Sequence, residues 1–434
     1  MGAPMPILGL STMLCGYAKL RYGALPAAVS TGAQPDVVAV IPALNEERTI
    51  PYAIVSLATQ TVPPDRLVVV DDGSTDSTGD VVEGIRSGVP FDVELRTHET
   101  PRGKTASIKE VARAATEERL FVLDADTYLE SETYLEALLG EHERDDDVAC
   151  AFGRVRPSTR ADKAAVFDSE IRGRYGEDDP ARVPLEEEIE SWETPGSKLR
   201  YYLGRWPVER YRDTLYRVEQ GFIKEAYMRL FGTALFPAGC GVLYDRERLV
   251  EVFDGYEASL GDNLTNSEDI FLGFAFAHRG LTNVQVDRVS MRTAEPSLRE
   301  LPRQTYLWGS AYLQSAYYFR RLSTRVRGGD DPRRRPYGRA VLAQFVDGLY
   351  PSMLLLTVAL LALQIVDLEW LFGLLAFELS TYAVIAVAVA RERKRALLGA
   401  LVSVPVRLFQ LPMGTYVYLR VVADLLRGNR SWGK

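Results

Sequence analysis

From Asp36 to about residue 155, short apolar runs alternate with segments of helical period. VVAVIPAL (37–44), RLVVVDD (66–72), DVELRTHE (92–99) and RLFVLDAD (119–126) predict strands. Between them, a segment carrying Ile54, Leu57 and Ala58 predicts a helix that Asn45 can cap. A second helix follows the turn Gly73-Ser74-Thr75-Asp76, and Lys104–Ala115 predicts a third. Near-continuous apolar strands separated by helices predict an α/β unit with a mostly parallel sheet and right-handed crossovers. Residues 157–215 break this rhythm with Glu186-Glu187-Glu188 and scattered Pro and Gly, which predicts an irregular or partly helical insert with a solvated face. Order returns in residues 222–249, an apolar region ending in a Gly-rich turn. Ser267 then caps a helix, EDIFLGFAFAHRG, that Gly280 stops.

The last third is apolar in longer units. LYPSMLLLTVALLALQIV (349–366) and LFGLLAFELSTYAVIAVAVA (371–390) approach bilayer-spanning length, with the acidic DLEW (367–370) between them. Basic clusters flank the pair: Arg320–Arg339, which contains Arg333-Arg334-Arg335, before it, and RERKR (391–395) after it. A hairpin with both ends in the cytosol satisfies the positive-inside rule. Glu378, inside the second span, is expected to face the bundle. Pro405 and Pro412 break the run over 396–427, which reads as a third span or a re-entrant, interfacial element. At the other end, the apolar run Pro6–Leu14 is too short to span and lacks the marks of a signal peptide, so 1–35 reads as an interfacial or docking segment. The expected organisation is a cytosolic domain over 36–300, an interfacial helix and basic linker over 301–340, and two to three transmembrane spans over 341–434. A multi-pass protein of the cell membrane with a cytosolic catalytic part follows.

Composition narrows the chemistry. The 434 residues, 47% hydrophobic and 25% charged, average a soluble portion with a greasy one, and the length implies two or three units. A net charge of −8 argues against nucleic acid as a partner. Cys15, Cys150 and Cys240 are too scattered for a disulfide framework or a zinc site. His98, His142 and His278 form no ligand-spaced cluster and read as surface or core residues.

The candidate chemistry lies at the strand ends. In RLFVLDAD, side-chain period two places Asp124 and Asp126 on one face, at the carboxyl end of a parallel strand. Hard carboxylate oxygens there suit Mg2+ or Mn2+ against phosphate oxygens. The first two strands end in Pro42-Ala43-Leu44-Asn45-Glu46 and Asp71-Asp72-Gly73, groups able to hydrogen-bond a base and ribose. Arg102-Gly103-Lys104 opens the next helix, where the positive helix end and Lys104 favour a diphosphate. These ends converge on one crevice and predict a nucleotide site.

The motifs P-A-L-N-E, V-V-V-D-D-G-S-T-D, R-G-K, D-A-D, F-P-A-G-C-G-V-L-Y-D-R, S-E-D and Q-T-Y-L-W stand in the order seen in family 2 glycosyltransferases. Over about 37–310 and the C-terminal spans the chain resembles their membrane-bound branch, which includes chitin, hyaluronan and cellulose synthases. The resemblance implies a GT-A fold and an inverting transfer from a nucleotide-diphosphate sugar, UDP-sugar being favoured. It implies that Asp72, with Glu46 nearby, contacts the base, and that Asp126 with Asp124 holds the metal and diphosphate. Asp269, of the pair Glu268-Asp269, becomes the general base, held ionised by the positive helix end. Phe236–Arg246 resembles an acceptor loop in which Gly239, Cys240 and Gly241 let backbone approach a sugar. Gln304-Thr305-Tyr306-Leu307-Trp308 resembles the Q-x-x-R-W motif, with Gln304 and Trp308 toward the acceptor. Leu307 replaces the motif arginine, leaving Arg303 as a nearby substitute, and Ser431-Trp432-Gly433-Lys434 resembles the W-G-x-R/K tail. The expected acceptor is a growing saccharide, with single addition to a lipid-linked acceptor as the alternative. A non-catalytic membrane scaffold is the reading from another class, against which the carboxylates Asp124, Asp126 and Asp269 stand.

Overall fold

Strand β1 (Val37–Ala43) has six of its seven residues buried, the mark of a strand covered on both faces. It pairs in parallel with β2 (Arg66–Asp71) and with β4 (Arg119–Leu123), and β2 pairs in parallel with β3 (Asp92–Thr97). Helices Ile50–Ala58, Thr78–Ile85 and Lys104–Ala114 make the connections. Registers align the exits: Ala43 lies beside Asp71, and Asp71 beside Thr97. The loops after β1, β2, β3 and β4 therefore leave one edge together. The computed structural model describes residues 10–23, 36–260, 267–323, 350–390 and 393–427. The tail Ser431–Lys434 and most of the basic stretch before the first apolar run fall outside them.

The sheet is mixed and eight-stranded, in the order β3-β2-β1-β4-β7-β6-β8-β5, where mostly parallel pairing is expected from the sequence. β7 (Gly241–Asp245) enters antiparallel between β4 and β6 (Val148–Pro157). β8 (Thr282–Thr293) then runs parallel to β6 and antiparallel to the short β5 (Thr127–Leu129). Apolar runs buried on both faces carry no sign of direction, so only the helical crossovers of the first half make its pairing readable.

The insert is more regular than its composition suggests. Helices Arg160–Val166, Val183–Ser191, Pro195–Gly204 and Trp206–Val218 fill it. The first opens on a full capping box between Thr159 and Asp162, and the next three carry Pro at their first turn, where its missing N–H costs nothing. Asn45 caps no helix. Its backbone is left-handed (φ 58°), its Oδ1 accepts the Thr75 N–H at 2.8 Å, and its own N–H donates to Ser74 Oγ at 2.9 Å. At the amino end, helix Leu10–Arg21 docks on Glu225–Phe231, with Lys19 donating to Gly221 O and pairing with Glu225 at 2.7 Å.

Three helices close the chain: Tyr350–Ala362, Leu368–Ala388 and Arg393–Leu426. The second begins inside DLEW, so the acidic stretch is a helix start rather than a spacer. Leu368–Ala388 (mean hydropathy 1.9) and Ala396–Asp424 (1.5) are long and apolar enough to cross a membrane, whereas Tyr350–Ala362 has 13 residues. Pro405 and Pro412 do not break the last helix, which runs 34 residues. Each proline removes one backbone bond, and packing against Trp206–Val218, Leu301–Tyr318 and Leu368–Ala388 offsets the loss. Helix Leu301–Tyr318, expected at an interface, lies between Glu268–Arg279 and this last helix, where Thr305 and Gln410 exchange hydrogen bonds.

Arg407 is fully buried and pairs with Glu378 Oε1 at 2.6 Å, so Glu378 does face the bundle. Replacing one partner leaves the other buried without this ion pair, at a cost of about 3–5 kcal/mol. Arg407→Met is expected to lower the melting temperature of the detergent-solubilised chain, and Glu378→Leu/Arg407→Met to recover most of the loss. A double variant no more stable than the single one would contradict the pairing.

Candidate active site

Strand β4 stops at Leu123, so Asp124-Ala125-Asp126 is a turn and not a pleated strand end. The Asp124 N–H donates to Cys240 O at 3.0 Å, and the Thr127 N–H returns to Asp124 O at 3.0 Å. The turn leaves both carboxylates half-buried, Asp124 toward Lys104 and Asp126 toward Thr293. Asp126 Oδ1 accepts the hydroxyls of Thr127 (3.1 Å) and Thr293 (3.3 Å). Burial pushes Asp124 up to about 6, with Lys104 opposing and Asp126 adding to the rise. Asp126 is likewise raised, chiefly by burial. Two half-buried carboxylates that repel each other suit a divalent cation. Among the described residues no set of three His, Cys, Asp or Glu forms a closed metal cage. An ion held by one or two carboxylates plus substrate phosphates needs no such cage.

Lys104 Nζ joins the two acidic motifs. It lies 2.7 Å from Asp124 Oδ1 and 2.9 Å from Glu268 Oε1, and donates to Gly239 O at 3.2 Å. Burial works against its charge, but Asp124 and Glu268 raise its pKa well above the ordinary lysine value. Glu268 is raised by burial and by Asp269, with Lys104 opposing. Asp269 is buried in the first turn of Glu268–Arg279. Its Oδ2 accepts the Gly239 N–H at 2.9 Å, and its Oδ1 accepts the Ile270 N–H at 2.8 Å and the Ser267 hydroxyl. Burial works against the charged carboxylate, while the Ser267 hydroxyl, Lys104 and the Ile270 N–H favour it. A Cβ on Gly239 would come within 2.8 Å of Asp269, which is why the loop needs glycine there. At Gly241 it would strike Met291 Sδ, so close packing requires the second glycine. The Cys240 side chain is buried against Met291.

Asp72 is spent on the protein. Its Oδ1 accepts from Arg102 N (2.8 Å) and faces His98 Nδ1 (2.7 Å), and its Oδ2 accepts from Gly103 N (2.7 Å). Gly103 adopts φ +92°, which turns its N–H toward the carboxylate. Burial alone would raise Asp72, but these bonds hold it below the usual carboxylate range. Asp71 Oδ1 accepts the Ser74 N–H at 2.9 Å and builds the turn. His98, expected to be an ordinary surface or core residue, bridges Asp72 and Glu110 beside the site. Pro42 lies in β1 beside Val70.

Glu46 stands with the D-A-D carboxylates. Its carboxyl accepts the Thr49 hydroxyl, and burial, with Asp126 and Asp124 adding, pushes it up to about 7. Its ordinary value is 4.5, so the folded metal-free protein keeps a proton that the unfolded chain has lost, and stability falls as pH rises from about 4.5 to 7. Glu46→Gln is expected to stabilise the metal-free protein by on the order of 2–3 kcal/mol at pH 8 and by little at pH 4.5. Denaturant midpoints across that range check it, and a pH-independent difference would sink it.

Two buried cations, Lys163 and Arg212, stand beside these groups. Lys163, on the first helix of the insert, is 7% exposed, lies over the Tyr52 ring at 5.7 Å and acts on both Asp126 and Glu46. Burial holds its pKa below the ordinary lysine value. Arg212, on Trp206–Val218, donates to Gln304 Oε1 at 2.7 Å, lies over the Trp308 ring at 4.5 Å and is 3.5 Å from Glu295. Burial pushes Glu295 up to about 7 in spite of Arg212. Arg303 is exposed, so the cation that meets Gln304 and Trp308 comes from another helix. The leucine at 307 was the available hint, since it left Gln304 and Trp308 without their motif cation.

Residues 38–182 match the model of glycosyl transferase family 2. No curated protein matches the chain at a significant level. Among solved structures, the mannosyltransferase PcManGT from Pyrobaculum calidifontis, in complex with GDP-Man and Mn2+, is 18% identical with a TM-score of 0.56, over 97% of this chain and 95% of that one. Glucosyl-3-phosphoglycerate synthase from Mycobacterium tuberculosis, with Mn2+, UDP and glucosyl-3-phosphoglycerate, is 18% identical over 65% and 80% of the two chains (TM-score 0.37). S. aureus TarS 1-349 is 15% identical over 91% and 92% (TM-score 0.40). The family match covers the three loops and the D-A-D turn, and the likeness to PcManGT extends the same fold through the remaining strands. Residues 38–182 therefore match a glycosyl transferase family 2 domain, and the chain as a whole shares the fold of PcManGT.

Proposed function

We propose that the protein is a membrane-embedded, inverting glycosyltransferase that moves a sugar from a nucleotide-diphosphate sugar, a UDP-sugar first of all, to a growing saccharide. The observation that carries this reading is Lys104, which ties the D-A-D turn to the Glu268-Asp269 pair in one half-buried cluster. Asp126, with Asp124, would hold Mg2+ or Mn2+, which neutralises charge on the departing diphosphate. Lys104 supplies a second positive charge on the same side. Asp269 takes the proton of the acceptor hydroxyl as its oxygen bonds to the anomeric carbon and the bond to the diphosphate breaks. Loops carrying Asn45, Glu46, Asp71 and Asp72 would receive the nucleoside, and Gln304 and Trp308 the acceptor, steadied by Arg212.

Large apolar side chains on the last helices support the bilayer reading: Trp370, Phe372, Phe377, Val384, Leu398 and Leu401 are each more than half exposed. The nucleotide-binding face then belongs in the cytosol. A second reading, single addition to a lipid-linked acceptor, is favoured by Leu307 and by the small number of long apolar helices. Product size decides. The purified chain in native lipid is given radiolabelled UDP- and GDP-sugars with Mn2+ or Mg2+. A long polymer supports the first reading and a singly glycosylated lipid the second. No incorporation from any donor would overturn both.

A further inference from the structure

A cavity of about 760 Å3 lies on the far side of β8 from the carboxylates. Side chains alternate along a strand, so Ser290 and Arg292 share the face opposite Met291 and Thr293, it is Thr293 that reaches Asp126, and Arg288 joins the cavity from the irregular stretch before Ser290. Six arginines line the cavity: Arg154 and Arg156 from β6, Arg288 and Arg292 from β8, Arg210 and Arg217 from Trp206–Val218. Three carboxylates share the lining, and they pair with arginines: Asp287 with Arg154, Asp162 with Arg292, and Asp213 with Arg217. Arg156 turns to Glu130 at 3.1 Å. Arg210 has no carboxylate within ion-pair distance among the described residues, and its buried Nε has no hydrogen-bond partner. The opposite wall is apolar, formed by Val389, Leu398, Gly399 and Val402 at the junction of the two longest C-terminal helices.

We propose that this cavity binds the phosphate headgroup of an anionic phospholipid, with the acyl chains along Val389, Leu398 and Val402. Guanidinium groups match phosphate oxygens in pairs and stay charged at any working pH. Basic pockets beside membrane helices hold anionic headgroups on the cytosolic side. A soluble anion would leave the apolar wall uncovered. The site rests on the reading that these helices enter a bilayer, and it anchors the β6–β8 side of the catalytic domain to the membrane surface without touching Asp126 or Asp269.

The test extracts the full chain with detergent and offers it phosphatidylglycerol and phosphatidylcholine of matched acyl chains, with bound lipid counted by native mass spectrometry. Phosphatidylglycerol is expected to be retained about tenfold better. Arg210→Gln/Arg288→Gln is expected to bring the ratio to about one while unfolding at the wild-type temperature. Equal retention of both lipids by the wild type, or an unchanged preference in the variant, overturns the site and leaves the bilayer reading standing. Displacement of the lipid by inorganic pyrophosphate overturns the lipid assignment. A chain recovered in the soluble fraction without detergent overturns the bilayer reading and this site with it.

Discussion

Asp269→Asn is expected to lower kcat by about 10³-fold while the Kd for nucleotide stays within about twofold of wild type. The amide is nearly isosteric and its oxygen can still accept the Gly239 or Ile270 N–H, so the helix start and the loop keep their shape. What is lost is the ability to take a proton from the acceptor hydroxyl. Single-turnover rates beside nucleotide titrations separate the two effects. Near-native turnover in the variant would assign the base elsewhere.

Asp126→Asn is expected to fail at an earlier step. It removes a charge that accepts hydrogen bonds from the Thr127 and Thr293 hydroxyls and forms no ion pair within 4 Å among the described residues, so the fold loses little. Mn2+-dependent nucleotide binding should weaken by about 10²-fold and kcat/KM by about 10³-fold, several kcal/mol in total. Asp124→Asn should behave differently, because it also frees Lys104 from one of its two carboxylates. Calorimetry with and without Mn2+ reads the distinction. Unchanged Mn2+ dependence in Asp126→Asn would remove it from the metal site.

The strands that deliver these groups were legible because each is a short apolar run that ends abruptly in polar residues, and helical crossovers force neighbours to run parallel. The stop of Glu268–Arg279 at Gly280 was legible for a similarly local reason. What escaped depended on partners distant in sequence. β7 shows no direction by itself, and its antiparallel entry is set by the path of the insert. Arg212 lies 92 residues from Gln304, and only the packed helices bring them together. Lys163 belongs to a segment whose acidic runs suggested a solvated face. His98 was passed over because a metal-ligand pattern was sought, whereas its partners Asp72 and Glu110 are loop and helix carboxylates. The prolines misled for the opposite reason: they are local signals that tertiary packing overrides.

β4 carries a consequence for how the protein is made. One edge of β4 pairs with β1, which is synthesised first, and the other pairs with β7, which leaves the ribosome roughly 120 residues later. At bacterial to eukaryotic elongation rates that interval is on the order of 6–24 s. During it the nascent parallel half presents an unpaired apolar edge immediately before the D-A-D turn, open to the wrong strand. β6 emerges within that interval and cannot close the gap, since its own place in the sheet is on the far side of β7. The D-A-D turn is thus completed late, by the same segment that brings Gly239 to Asp269.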